Sequence, residues 1–209
     1  MSNNKTTQEA FWEDKFGTDY IKRNNSDALL SSNLGFFSKA LRNTRELTSC
    51  IEFGANIGMN LRALKQLFPL IHLTAIEINP HAAEESMKLI GKQNVMCSSI
   101  LEASISTQSD LSLIKGVLIH INPEHLESVY NKLYQASKRY ILIAEYYNPT
   151  PVSIPYRGHS DKLFKRDFAG EILDQFSDLR LADYGFVWHR DNLFPQDDIS
   201  WFLLEKQNS

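Results

Sequence analysis

The stretch Glu52-Phe-Gly-Ala-Asn-Ile-Gly58 sets a carboxylate just ahead of two glycines spaced four apart, and a second carboxylate, Glu77, follows 19 residues after Gly58 (77 minus 58). Glycine at such positions lets the backbone turn tightly and approach a ligand without a Cβ in the way. A carboxylate about 20 residues beyond a glycine loop, at the end of the next strand, accepts the two hydroxyls of a ribose. The chemistry implied is recognition of an adenosine-type ligand.

Two adenosine cofactors compete for this pattern. A dinucleotide fingerprint, GxGxxG, needs a third glycine five positions after the first, where this chain has Met59, and a middle glycine where it has Asn56. A pyrophosphate fits that loop poorly, which counts against a nicotinamide-dependent oxidoreductase. S-adenosylmethionine carries a sulfonium and an amino acid tail in place of phosphates, so it tolerates a wider loop preceded by an acid. Glu52-x-Gly54-x-x-x-Gly58 resembles the Glu/Asp-x-Gly-x-Gly-x-Gly pattern of class I methyltransferases, with the Asn56 amide reaching toward the methionine end.

The elements around the loop have the order such a site requires. Leu34, Phe37 and Leu41 mark a helix over residues 33 to 44, Thr48 to Phe53 a strand, and Leu61, Leu64, Leu67 and Phe68 the helix after the glycine loop. Residues 71 to 78 are nearly continuous apolar, as in a strand covered on both faces. Asn79-Pro80 then supplies an N-cap and an N1 proline for a helix to Ile90. Residues 95 to 97, 110 to 119 and 140 to 144 read as three more strands, with a helix starting at Asn122-Pro123. The alternation argues for a doubly wound, mostly parallel α/β sheet. Beyond Glu145, residues 146 to 163 read as a long surface loop of the functional kind. A helical face at Phe168, Ile172, Leu173 and Phe176 and two closing strands, 181 to 188 and 200 to 204, complete seven strands, the last antiparallel.

The chain has 209 residues, 43% of them hydrophobic, 22% charged, with a net charge of −3. That suits one globular domain and offers no footprint for broad nucleic-acid binding. No apolar run approaches the roughly 18 residues that span a bilayer, and the first residues have no secretory pattern, so the expectation is a cytoplasmic protein without membrane association. Cys50 and Cys97 both fall in short apolar runs and read as reduced core residues.

The segments FWEDKFGTDYIKRN, EFGANIGMN, LTAIEINP, KGVLIHINP, ILIAEYYNPTPVSIPYRGHSDKLFKRDFAGE, DYGFVWHRD and FPQDD resemble the family of methyltransferases associated with pseudaminic acid biosynthesis, over residues 11 to 206. The resemblance implies a single Rossmann-like methyltransferase domain, 1–209, with 1–32 as an N-terminal lid and 146–166 as a substrate loop. It also implies a small, sugar-related acceptor.

On that basis S-adenosylmethionine is expected against Glu52, Phe53, Gly54, Ala55, Asn56 and Gly58, with Glu77, Ile78 and Asn79 at the ribose. Ser98, Ser99 and Ile100 take the adenine edge, where many class I enzymes have an Asp, and Lys115 or Gly116 serves near the fourth strand end. Tyr20 and Arg23, three apart, share one side of a helical turn that closes over the site. Tyr146, Tyr147 and Asn148 follow the fifth strand and face the acceptor. From Tyr156 to Arg166, Arg157, Lys162, Lys165 and Arg166 outnumber Asp161, a local excess of positive charge suited to an anionic acceptor such as a sugar acid, nucleotide-sugar or phosphorylated compound. His159, in an exposed loop, is the general-base candidate, joined by Tyr146 and Tyr147 as catalytic candidates. His120 reads first as a packed, hydrogen-bonded core histidine, with a catalytic role as the lesser alternative. His189 and Asp197-Asp198 form a further wall. No metal-ligand spacing is present. A non-catalytic scaffold that keeps the cofactor site is the alternative, and either a monomer or a homodimer suits the chain.

Overall fold

A computed structural model describes residues 5–13, 17, 26–156, 158 and 162–207. Tyr20, Arg23, Arg157 and His159 lie outside them. A seven-stranded sheet runs in the order β3-β2-β1-β4-β5-β9-β8, built from β1 (Ser49–Phe53), β2 (His72–Glu77), β3 (Val95–Cys97), β4 (Ser109–Lys115), β5 (Ser137–Glu145), β8 (Leu179–Val187) and β9 (Ile199–Lys206). β1 to β5 pair in parallel, and β9 is antiparallel to both neighbours. The order reverses at β1, between β2 and β4, so the carboxyl ends of these strands open a crevice at the switch point.

Helices cover both faces. α2 (Asp27–Ala40), α3 (Met59–Leu67) and α4 (Pro80–Ile90) lie over one core, built on Phe37, Leu64, Leu113 and Trp201. α5 (Leu126–Ala136) and α6 (Phe168–Gln175) lie over the other, with Phe53, Ile114, Leu133 and Ile172. β5 feeds both: Tyr140, Leu142 and Ala144 point into the first core, Ile141 and Ile143 into the second. This is why the central strands read as continuous apolar runs.

Several bounds move from the sequence reading. The helix expected from residue 33 begins at Asp27, because the Ser26 hydroxyl caps it by accepting from the Leu29 N–H. The fourth strand stops at Lys115: Gly116 turns at φ +69, and Leu118–His120 forms a 3-10 turn. Within the 146–163 segment, β6 (Val152–Ser153) pairs with β7 (Phe164–Lys165). Cys50 is buried as expected, but Cys97 is exposed, because β3 is an edge strand with only Val95 of its three residues buried.

At the N-terminal end a short helix, α1 (Thr7–Glu13), starts from a reciprocal cap. The Thr6 hydroxyl accepts from the Glu9 N–H, and the Glu9 carboxylate accepts from the Thr6 N–H.

Candidate functional site

A cavity of about 300 Å³ lies at the carboxyl ends of the strands, at the low end of the range for small-molecule sites. The glycine loop is its floor. Asn56 sits at φ +49, a left-handed conformation that Asn tolerates better than most residues, and its side-chain oxygen accepts from the Ile57 N–H. Its amide is therefore turned onto its own backbone. The Asn56 N–H donates to Glu77 Oε2 at 2.7 Å, and the Asn79 N–H donates to Oε1 at 2.8 Å, so the carboxylate that ends β2 pins the loop after β1.

The two loop glycines serve packing as much as openness. A Cβ on Gly54 would sit 2.6 Å from Val117 Cγ2, and one on Gly58 would sit 3.1 Å from the Ser86 hydroxyl of α4. Gly116 differs: it lines the cavity, and a Cβ there would meet nothing within 4 Å. The backbone there is bare toward the cavity.

Behind the floor lies a titratable group of three. Glu52 is fully buried and accepts from the Asn60 amide at 2.6 Å, while its Oε2 has no partner among the described residues. Burial pushes its carboxyl up to about 8, against the pull of Asn60 and Lys115. Glu145, ending β5, accepts both the Val117 and Leu118 N–H groups at 2.9 Å, and burial raises it to about 7. Lys115 stands between them with Asp197 also near, and its own pKa is lowered, first by burial. Glu145 thus holds the Gly116–His120 segment, the turn that reading residues 110 to 119 as one strand had missed.

α1 and the 146–163 segment form the roof. The Glu9 carboxylate hydrogen-bonds the Ser99 hydroxyl, which in turn accepts from the Leu101 N–H. Asn79 caps α4 through its side-chain oxygen and donates its amide to the Trp12 and Glu13 carbonyls, tying down the end of α1. Trp12 lies against the His120 ring at 4.6 Å between centroids, with Tyr156 against it at 5.3 Å.

Of the residues expected at the site, Gly54, Ala55, Asn56, Glu77, Ile78, Asn79, Ser99, Ile100, Lys115, Tyr146 and Tyr156 line the cavity. Glu52, Phe53 and Gly58 lie behind its wall, and Ser98 uses its backbone to continue the sheet at the Glu77 carbonyl. Four others do not reach it. Tyr147 is half exposed beside Phe202, and the Asn148 amide folds onto the Thr150 carbonyl. Lys162 is buried with Nζ donating to the Thr7 hydroxyl, and His189 is exposed and paired with Asp198 at 2.8 Å. Asn148, Lys162 and His189 thus bond to local partners. Two further cations of the basic segment are engaged too: Lys165 over the Tyr146 ring and Arg166 on Glu171.

The sequence reading missed Glu9 and Trp12 in the roof, and Asn33 and Gln196, which hydrogen-bond each other at 3.0 Å in the opposite wall. Glu9 carried a signal, the Thr-x-x-Glu spacing of a capping box. The other three carried none, since their partners come from elements far away in sequence. Asp197 joins that wall; His189 does not.

No protein-family model matches the chain, and no curated protein matches it significantly. Solved structures do. Magnesium protoporphyrin IX methyltransferase from Synechocystis PCC 6803, with bound SAM, aligns with TM-score 0.69 and 11% identity over 98% of this chain and 100% of that one. The 1,6-didemethyltoxoflavin-N1-methyltransferase of Burkholderia thailandensis, with 1,6-didemethyltoxoflavin and S-adenosylhomocysteine, gives TM-score 0.70 and 13% identity over 100% and 94%. The plantazolicin methyltransferase BpumL, with SAH and a substrate analogue, gives 0.66 and 17% over 96% and 95%. Strand order, the antiparallel ninth strand and this full-length superposition show that the chain has the Rossmann-like fold of class I S-adenosylmethionine-dependent methyltransferases.

Proposed function

We propose that the protein is a methyltransferase that binds S-adenosylmethionine in the crevice at the carboxyl ends of β1, β2 and β4 and methylates an oxygen or nitrogen of a small anionic acceptor. The observation that carries this reading is that Glu77 lines the same cavity as the bare backbone of Gly116. The Glu77 carboxylate is held by backbone N–H groups of Asn56, Ile78 and Asn79 at the cavity wall, where its remaining acceptor capacity would meet the hydroxyls of a ribose. The residues fit the cofactor in other respects too. Ile78 and Asn79 continue the ribose side, and Ile100 and Leu101 give an apolar slot for adenine. Glu9, held by Ser99, brings a carboxylate from α1 to the adenine edge, where Ser98 and Ser99 alone would have left none.

When bound, S-adenosylmethionine supplies an electrophilic methyl carbon whose bond to sulfur breaks with the electron pair remaining on sulfur. The chain's own part is to align the acceptor and exclude water. Tyr146, Tyr156, Asn122 and Trp12 also line the cavity, and we assign them to the acceptor side. An anionic, sugar-related acceptor of surface polysaccharide synthesis is supported by the resemblance of the sequence segments and by Lys115 at the cavity; the cations Lys162, Lys165 and Arg166, engaged elsewhere, do not add to it. In this reading residues 1–209 are one domain, 1–32 its lid and 146–166 its substrate loop.

Isothermal titration with S-adenosylhomocysteine tests the reading. Binding that is weakened in a Glu77 variant supports it, and absence of any binding to the wild-type protein removes it. Binding without transfer to any small metabolite would instead favour a non-catalytic scaffold.

A further inference from the structure

We infer that His120, at the cavity wall after β4, is the group that takes the proton from the acceptor atom as that atom is methylated. The inference rests on the methyltransferase reading above.

His120 is fixed at one nitrogen and open at the other. Its Nδ1 lies 2.6 Å from the Lys162 carbonyl oxygen. A carbonyl only accepts, so Nδ1 carries the hydrogen and Nε2 presents its lone pair. Nε2 has no protein partner among the described residues and is not sealed from solvent. The residue is 9% exposed and lines the cavity, and the cavity is where we place the open Nε2.

The ring cannot swing away, because Trp12 and Tyr156 both lie against it. Burial lowers its pKa to about 4, with the Lys162 carbonyl pulling the other way, and among the described residues no charged side chain contributes. A neutral imidazole with a free lone pair is the protonation state a general base needs, and it does not repel a sulfonium in the same cavity.

The step balances simply. The acceptor O–H or N–H bond breaks, its electron pair stays on the oxygen or nitrogen that bonds the methyl carbon, and the proton passes to Nε2. The imidazolium so formed is disfavoured by its burial and returns the proton to solvent once product leaves.

His120→Asn separates this role from a structural one. The Asn side-chain amide can still donate to the Lys162 carbonyl, but nothing replaces Nε2. With tritiated S-adenosylmethionine and a deproteinised extract of small metabolites as the acceptor pool, transfer should fall about 100-fold or more, while affinity for S-adenosylhomocysteine stays at the wild-type value. Transfer at the wild-type rate overturns the inference. So does a wild-type protein that binds S-adenosylhomocysteine yet labels nothing. Failure to bind S-adenosylhomocysteine at all would instead remove the reading beneath it. Nitrogen-15 spectra of histidine-labelled wild-type protein with S-adenosylhomocysteine bound give an activity-free readout that does not depend on the variant folding. Protonated Nδ1 with unprotonated Nε2 at neutral pH is expected, and the reverse tautomer or an imidazolium refutes the assignment.

Discussion

His120 should make the protein lose stability in acid by an amount that can be worked out from its surroundings. In the folded chain its pKa falls from 6.5 to about 4, because a charged ring would be buried between Trp12 and Tyr156. Between those two values the unfolded chain binds a proton that the folded chain refuses, so stability falls as pH drops through this window and is flat above it. At about 1.36 kcal/mol per pH unit the loss approaches about 3 kcal/mol at pH 4, a sizeable share of an ordinary domain's stability. Other groups titrate there as well, so the difference between wild type and His120→Asn isolates this one. Urea unfolding at a series of pH values, extrapolated to zero denaturant, measures it. The stability gap between the two proteins should be constant above about pH 7 and shift by about 3 kcal/mol against wild type by pH 4. A gap that does not move between those values would show that His120 is not held neutral by burial.

Glu77→Ala should weaken S-adenosylhomocysteine binding by about 1 to 3 kcal/mol in titration calorimetry, since the ribose loses its acceptor and the Asn56 and Asn79 N–H groups lose theirs. Unchanged affinity would refute the assignment. Glu145→Ala should cost about 1 to 3 kcal/mol of stability in urea melts and speed amide exchange at Val117 and Leu118, whose N–H groups it accepts; slow exchange at both would mean that another group holds that turn. Glu52 works in the opposite sense to His120. Its carboxyl is raised from 4.5 to about 8, so the folded chain holds a proton that the unfolded chain has released, and stability is lost as pH rises across that interval. Glu52→Gln should flatten the pH profile there, and a variant curve parallel to wild type would be the contrary result.

Patterns that repeat along the chain were legible in the amino-acid order alone. The alternation of apolar strands with amphipathic helices specified a parallel sheet, and Asn79-Pro80 marked the start of a helix that the structure begins at Pro80. The glycine loop and the ribose-spaced carboxylate were also visible, because loop and strand end are fixed by local geometry. What they do in detail was not. Gly54 and Gly58 leave room for Val117 and Ser86, residues that only the packed fold brings near.

The remainder of the site was decided by the tertiary structure. Glu9 meets Ser99 across 90 positions of sequence, and His120 meets the Lys162 carbonyl across 42. A histidine in an apolar run reads as core whether its free nitrogen ends in packed side chains or in a cavity. Lys162 and His189 show the converse: both look free to bind a ligand, yet Thr7 and Asp198 take them. Periodicity and capping act over a few residues, so the sequence determines them; which polar group is left without a partner depends on neighbours that folding alone supplies.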